Sequence, residues 1–336
     1  MKTLNIGING FGRIGRTLFR LLQQHKNINV VAINDLADSR TLSHLLKYDS
    51  IHGVMPNDIS YDEHHIIVDN TPIFLSSSLR PKDIDWNATK VDIVVECTGK
   101  FRDRKSLSGH IAGGAKKVIL SAPSLEKDIK MIVYGINENT LTKTDTIISN
   151  ASCTTNNAAP MIQVINDLCG IEQAYITTIH SYTSDQSLHD QPHKDLRRAR
   201  SASQSIVPTT TGAAKALTRI FPDLAQVIGG CGIRVPVPNG SLTDITFNVK
   251  RSTTIKEIND TFEKASNNEL KNILFYTKDP IVSVDINNSC YSCTFDSQMT
   301  SVIGKMVKII GWYDNETGYS CRIIDLLNFM INKGYI

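Results

Sequence analysis

Leu4-Asn5-Ile6-Gly7-Ile8-Asn9-Gly10-Phe11-Gly12-Arg13-Ile14-Gly15 is a short β-rich run that breaks into a glycine fingerprint. Amphipathic helix spacing continues from it over residues 13–25, and a second β-rich run follows at 29–34, so the segment reads as a βαβ unit. In that setting G-x-G-x-x-G has a physical purpose. The glycines allow a tight turn and close backbone approach, and the helix amino terminus offers free N–H groups and its positive dipole end to a pyrophosphate. Alone, such a motif serves equally well to pack a helix on a sheet; its place between strand and helix favours dinucleotide binding. Asp35 closes the second strand. A carboxylate there accepts from a ribose 2′-OH and repels a 2′-phosphate, which favours NAD over NADP.

Further β-rich runs at 91–97, 117–121, 131–133 and 146–149, separated by helix-like spacing, predict a mostly parallel sheet. From about residue 174 the texture changes. Longer alternating runs at 174–180, 242–251, 281–285 and 302–313 suit an antiparallel sheet with one face covered. Residues 255–266 and 317–333 have helix spacing, and the polar, basic stretch 181–213 reads as a long ordered loop near a site or an interface. The expected organisation is a dinucleotide-binding domain over 1–151, to which a helix at 317–336 returns, and a catalytic domain over 152–316.

The composition is that of a soluble globular protein: 336 residues, 41% apolar, 21% charged and a formal net charge of +3. That charge is too mild to predict nucleic acid or an anionic membrane as a partner. Residues 1–10 lack the hydrophobic stretch of a signal peptide, and no apolar run reaches membrane-spanning length. The seven cysteines are odd in number and without framework spacing, as in a reducing compartment. A cytoplasmic location is expected.

Ser149-Asn150-Ala151-Ser152-Cys153-Thr154-Thr155-Asn156 puts a cysteine just after a strand and at the start of a helix pattern that runs to about 168. A helix amino terminus lowers a thiol pKa and places N–H groups where an oxyanion would form, so Cys153 is the candidate nucleophile. The alternative is a small buried apolar residue, against which its polar neighbours argue. Of nine histidines, His180 ends a predicted strand and is the candidate base.

Together with Trp312-Tyr313-Asp314-Asn315-Glu316-Thr317-Gly318-Tyr319, His180-Ser181-Tyr182-Thr183 and Pro208-Thr209-Thr210-Thr211-Gly212-Ala213-Ala214-Lys215, these motifs resemble the phosphorylating glyceraldehyde-3-phosphate dehydrogenases over essentially the whole chain. The resemblance implies an α/β fold, a Rossmann-type doubly wound parallel sheet plus an α+β catalytic domain with a mostly antiparallel sheet. It implies NAD-dependent oxidation of glyceraldehyde 3-phosphate through a Cys153 thiohemiacetal and thioester, with His180 as base and inorganic phosphate as acyl acceptor. By the same resemblance Gly10, Phe11, Gly12, Arg13, Ile14, Asp35, Arg80, Thr98, Ser121, Asn315 and Tyr319 serve NAD. Thr183 and Arg234 match one anion site, Ser152, Thr154, Thr211 and Gly212 the other, and Arg198 is a further anion-site arginine. A homotetramer is implied.

The family commonly has a second cysteine four residues after the nucleophile, where this chain has Asn157. Cys290-Tyr291-Ser292-Cys293 lacks further ligands at workable spacing and reads as structural, and Pro192 between His189 and His193 argues against a shared helix face, so no metal is expected. The basic run at 193–200 lacks stacking aromatics and suits phosphate binding or a subunit interface better than RNA. The competing readings are an erythrose-4-phosphate dehydrogenase, with water as final acceptor, and a non-catalytic binding protein on the same fold.

Overall fold

A computed structural model describes residues 3–336; Met1 and Lys2, part of the targeting argument, lie outside the described residues. The chain divides into two compact units. The first comprises Met1–Ile132, Asn137–Ala151 and Ser320–Ile336, and the second Val133–Ile136 and Ser152–Tyr319.

In the first unit a nine-stranded sheet has the order Lys130–Met131, Ile147–Ser149, Lys117–Leu120, Ile93–Glu96, Leu4–Asn9, Ile28–Asn34, Thr71–Ser76, His65–Val68 and Ile59–Tyr61. The first seven strands are mutually parallel, His65–Val68 pairs antiparallel with Thr71–Ser76, and Ile59–Tyr61 pairs antiparallel with His65–Val68. Strands Ile93–Glu96 and Lys117–Leu120 are buried at every position, as a parallel sheet covered on both faces requires. Helix Arg13–Leu22 buries Leu18, Phe19 and Leu22 and stops short of residue 25, because Gln24 and His25 N–H groups turn back to Leu21 and Leu22 carbonyls. Late in the chain, Asn27 Nδ2 donates to Asn328 Oδ1 at 3.2 Å and the Tyr335 hydroxyl to the Leu141 carbonyl at 3.2 Å.

The second unit is built on an eight-stranded sheet, mostly antiparallel, ordered Val207–Thr209, Ile228–Val235, Ile171–Ser181, Ser241–Val249, Met306–Tyr313, Cys293–Asp296 and Leu274–Thr277, with Ser301–Ile303 pairing on Met306–Tyr313. Two pairs in it are parallel, and one of them sets His180 opposite Arg234. Helix Cys153–Cys169 is buried along most of its length. Two expectations need correction. Residues 281–285 are not a strand: the Asp285 carboxylate accepts the Val282 N–H at 2.7 Å and a 3-10 turn forms at Ser283–Ile286. The run 302–313 is two strands, because Gly304 takes φ 61° and turns the chain. Among the described residues no helix is long and apolar enough to cross a membrane.

The fingerprint turn is tight. A Cβ at Gly15 would stand 2.3 Å from the Gly10 carbonyl oxygen, which is backbone and has nowhere to go. Gly15→Ala is therefore expected to cost about 2 kcal/mol, read as a lower denaturant midpoint at unchanged slope.

Candidate active site

Cys153 is the first residue of its helix, capped by Ser152, whose hydroxyl accepts the Thr155 N–H at 3.1 Å. Ala151, just before, is held at φ 55°, a left-handed conformation that costs a residue with a Cβ and that turns the chain sharply into the helix. Cys153 Sγ lies 3.4 Å from His180 Nε2. His180 stands one residue from the end of its strand, and its Nδ1 donates to the Ser181 carbonyl at 2.7 Å. In that tautomer the Nε2 lone pair faces the sulfur. Arg234, opposite on the parallel strand, donates from Nη1 to the same carbonyl at 2.9 Å and stands 2.5 Å from Nδ1. The thiol and the base are thus brought together, with a guanidinium behind them.

The charge state differs from the sequence expectation. Burial pushes the Cys153 thiol up, against the pull of Arg234 and of the Thr154 N–H, so the helix terminus does not prevail. Burial, and then the Arg234 charge, press His180 down from its ordinary 6.5 to about 3. Both shifts run toward the uncharged forms, and His180 Nε2 stands where it can take the thiol proton as the sulfur attacks.

The anion-site candidates are placed unevenly. Arg198 is held by Asp185 at 2.7 Å, the Thr209 hydroxyl at 2.8 Å and the Thr210 carbonyl at 3.2 Å, with its charge near enough to act on His180. Thr211 Oγ1 accepts the Ala213 N–H at 3.2 Å at the start of helix Ala213–Ile220, whose cap is the exposed Gly212. Thr183 is half-buried, its carbonyl accepting the Gln186 N–H. Thr154 is buried, its hydroxyl is bonded to the Tyr313 hydroxyl at 2.9 Å, and both its backbone N–H and its side chain act on the Cys153 thiol. Tyr313, not singled out from the sequence, also reaches the Thr178 hydroxyl at 2.9 Å and meets the His180 ring edge-on. Asn315 and Tyr319 are buried in this unit.

In the first unit Gly10 has φ 91°, and a Cβ there would meet Thr98 at 2.8 Å, whereas a Cβ at Gly12 would meet nothing within 4 Å. That open space sits at a helix cap with no side chain closing it. Asp35 accepts the Phe11 N–H at 2.7 Å and the Ala37 N–H at 3.1 Å, so it braces the glycine turn from beneath. The Phe11 ring is core, edge-on to Phe19, and only its backbone belongs to the turn. Arg13 forms a fork to Asp49 at 2.5 and 3.1 Å, Ile14 is half-buried beside it, and exposed Arg80 pairs with Asp83. Ser121, half-buried, donates its N–H to the Glu96 carbonyl.

Glu96 is the residue that sequence reasoning missed. Fully buried, its carboxylate accepts from Asn9 Nδ2 at 2.5 Å, the Thr98 N–H at 2.8 Å, the Thr98 hydroxyl at 2.5 Å and His110 Nε2 at 3.1 Å. The Trp86 indole donates to His110 Nδ1, which fixes the tautomer. A carboxylate ending an apolar β-run was the available signal, since such a charge is buried only where donors surround it.

The model of the glyceraldehyde 3-phosphate dehydrogenase NAD binding domain matches residues 4–104, and that of the glyceraldehyde 3-phosphate dehydrogenase C-terminal domain matches 152–315. Similar curated proteins are the glyceraldehyde-3-phosphate dehydrogenases of Streptomyces coelicolor, 51% identical over 335 residues, and of Geobacillus stearothermophilus, 47% identical over 333, each match covering 98% of this chain and 99% of the relative. The chain belongs to the glyceraldehyde-3-phosphate dehydrogenase family. Its Rossmann-type NAD-binding domain and mostly antiparallel C-terminal domain are those the resemblance implied.

Against the family pattern, Asn157 is buried and donates from Nδ2 to the Ser292 carbonyl at 3.3 Å and the Trp312 carbonyl at 3.2 Å. It ties the helix to two segments of the sheet side, which a thiol would do poorly. Asn157→Cys is expected to lose about 2 kcal/mol, seen in chemical denaturation.

The His180 shift has a definite sign. Between about 6.5 and about 3 the unfolded chain binds a proton that the folded chain refuses, so this contribution to stability is whole above pH 6.5 and is lost as pH falls. The His180 ring resonances are expected to remain those of neutral imidazole at pH 5, and Arg234→Leu to move its titration upward.

Proposed function

We propose that the chain oxidises D-glyceraldehyde 3-phosphate to 1,3-bisphosphoglycerate with NAD and inorganic phosphate. The observation that carries this reading is the 3.4 Å approach of Cys153 Sγ to His180 Nε2 beside Arg234, in a chain about half identical to enzymes named for that activity. The first unit fits the cofactor: the empty space over Gly12 is a cradle that a side chain would fill, at a helix terminus with uncapped N–H groups. Gly10, Gly12, Arg13 and Ile14 would hold the pyrophosphate by backbone and Asp35 the adenosine ribose, with Arg80, Thr98 and Ser121 along the dinucleotide and Asn315 and Tyr319 at the nicotinamide. When bound, NAD supplies the acceptor for a hydride.

Cys153 Sγ adds to the aldehyde carbon while its proton passes by way of His180 Nε2 to the former carbonyl oxygen, giving a thiohemiacetal. The Cys153 N–H, at the head of the helix, would face the developing oxyanion. His180 then takes the hydroxyl proton as the hydride departs, and a thioester remains. An oxygen of inorganic phosphate adds to the thioester carbonyl, the C–S bond breaks, and the acyl phosphate leaves with Cys153 restored. Thr183 and Arg234 would hold the substrate phosphate, and Ser152, Thr154, Thr211, Gly212 and Arg198 the attacking one. Hydroxyls, N–H groups and guanidinium forks are the chemistry phosphate recognition asks for.

A homotetramer belongs to the same reading. Leu188, Leu196 and Ile206 are strongly exposed along the 181–213 segment, as apolar residues awaiting a subunit contact would be. The cytoplasm is the proposed compartment, consistent with seven free cysteines.

NADH formation from glyceraldehyde 3-phosphate and NAD is expected to be sustained only with inorganic phosphate. Turnover equal without it would favour a hydrolytic enzyme of the erythrose-4-phosphate type. Cys153→Ser is expected to abolish turnover with NAD binding retained, and kcat/KM with NADP to be lower by at least about tenfold through Asp35.

A further inference from the structure

Three buried polar residues at neighbouring strand ends are bonded to one another, and of them the chemistry above uses the side chain of Asn315 alone. Ser181 ends strand Ile171–Ser181, Ser241 begins strand Ser241–Val249, and Asn315 follows Tyr313, the register partner of Ser241. The Ser181 hydroxyl donates to Asn315 Oδ1 at 2.8 Å and the Ser241 hydroxyl donates to the same oxygen at 3.0 Å. Ser241 Oγ in turn accepts the Ser181 N–H at 3.1 Å. Both serines are buried.

An amide can flip, and the question is what holds this one. Turned over, it would set its NH2 against two buried hydroxyls, whose own protons would then need other acceptors. The Ser181 carbonyl is already taken by His180 Nδ1 and Arg234 Nη1. In the observed orientation Oδ1 points inward with both hydroxyls on it, the Ser241 hydroxyl also lies 3.4 Å from Ser181 Oγ, and Nδ2 is left as the edge for a ligand. A donor edge recognises an acceptor oxygen.

We propose that Ser181 and Ser241 are positioning residues that lock the Asn315 amide so that it offers its NH2 to the carboxamide oxygen of the nicotinamide. The proposal rests on the reading of Asn315 as the nicotinamide contact. Ser181 thereby serves two ends of the reaction, its carbonyl orienting the base and its hydroxyl orienting the anchor, and removing the hydroxyl leaves the carbonyl in place.

Calorimetric titration of the full chain with NAD and with ADP-ribose, which lacks the nicotinamide, separates the outcomes. Ser181→Ala and Ser241→Ala are each expected to weaken NAD by about fivefold and leave ADP-ribose unchanged, with Ser181→Thr close to the intact chain. KM for NAD should rise by a similar factor while the rate of Cys153 alkylation stays the same. Equal weakening of NAD and ADP-ribose would make the serines merely structural and overturn the proposal. An unchanged ratio in both alanine variants, with Asn315→Ala lowering it, would overturn the lock and keep the anchor. An unchanged ratio in Asn315→Ala would overturn the anchor reading itself. Each single variant is read separately, so failure of one to fold leaves the other to decide.

Discussion

The Ser181 carbonyl accepts two donors, His180 Nδ1 and Arg234 Nη1, and the catalytic unit is arranged around that shared acceptor. It exists because strands Ile171–Ser181 and Ile228–Val235 run parallel within a sheet that is otherwise mostly antiparallel, with His180 and Arg234 in register. Burial makes this histidine poor at holding a charge, and the fixed cation beside it deepens the effect. The arrangement gives the sulfur a neighbour that accepts a proton and does not compete as a positive partner. The same guanidinium is itself largely buried, so the cation and the base it acts on share one water-poor setting.

In the first unit the comparable constraint is the Glu96 carboxylate, surrounded by four donors at the carboxyl ends of the central parallel strands. From it the bonding continues through Asn9 to Asn34, whose side chain holds Ser76 and the Ser78 backbone. A buried charge that is fully satisfied is costly to rearrange, because moving any donor leaves the carboxylate short. The strand ends that shape the glycine turn are therefore pinned to one another by side chains as well as by the sheet ladder.

Much of this was legible in the sequence where a local rule applies. The strand Leu4–Asn9, the glycine turn and helices Cys153–Cys169 and Ile255–Asn267 follow from period and punctuation. Runs 281–285 and 302–313 misled because alternation says nothing of a side chain that caps its own turn or of a glycine that reverses the chain. The pairing of Cys153 with His180 was open to motif reasoning, but the raised thiol and lowered imidazole were not, since burial and the Arg234 charge come from elsewhere in the chain. Tyr313, Ser181 and Ser241 act through partners far away in sequence, as Glu96 does through Asn9 besides its near neighbour Thr98, and no spacing rule reports the distant partners.

Gly12 and Gly15 stand three residues apart in one motif, yet their surroundings differ completely: a side chain at Gly15 would strike backbone, and one at Gly12 would enter empty space. The two positions are guarded by different kinds of selection. Quality control in a cell, which senses unfolded chain, would remove a variant at Gly15 and pass one at Gly12. A bulkier residue at Gly12 would leave a well-folded chain whose open space at the head of helix Arg13–Leu22 is filled, a change that a folding assay would pass over in silence.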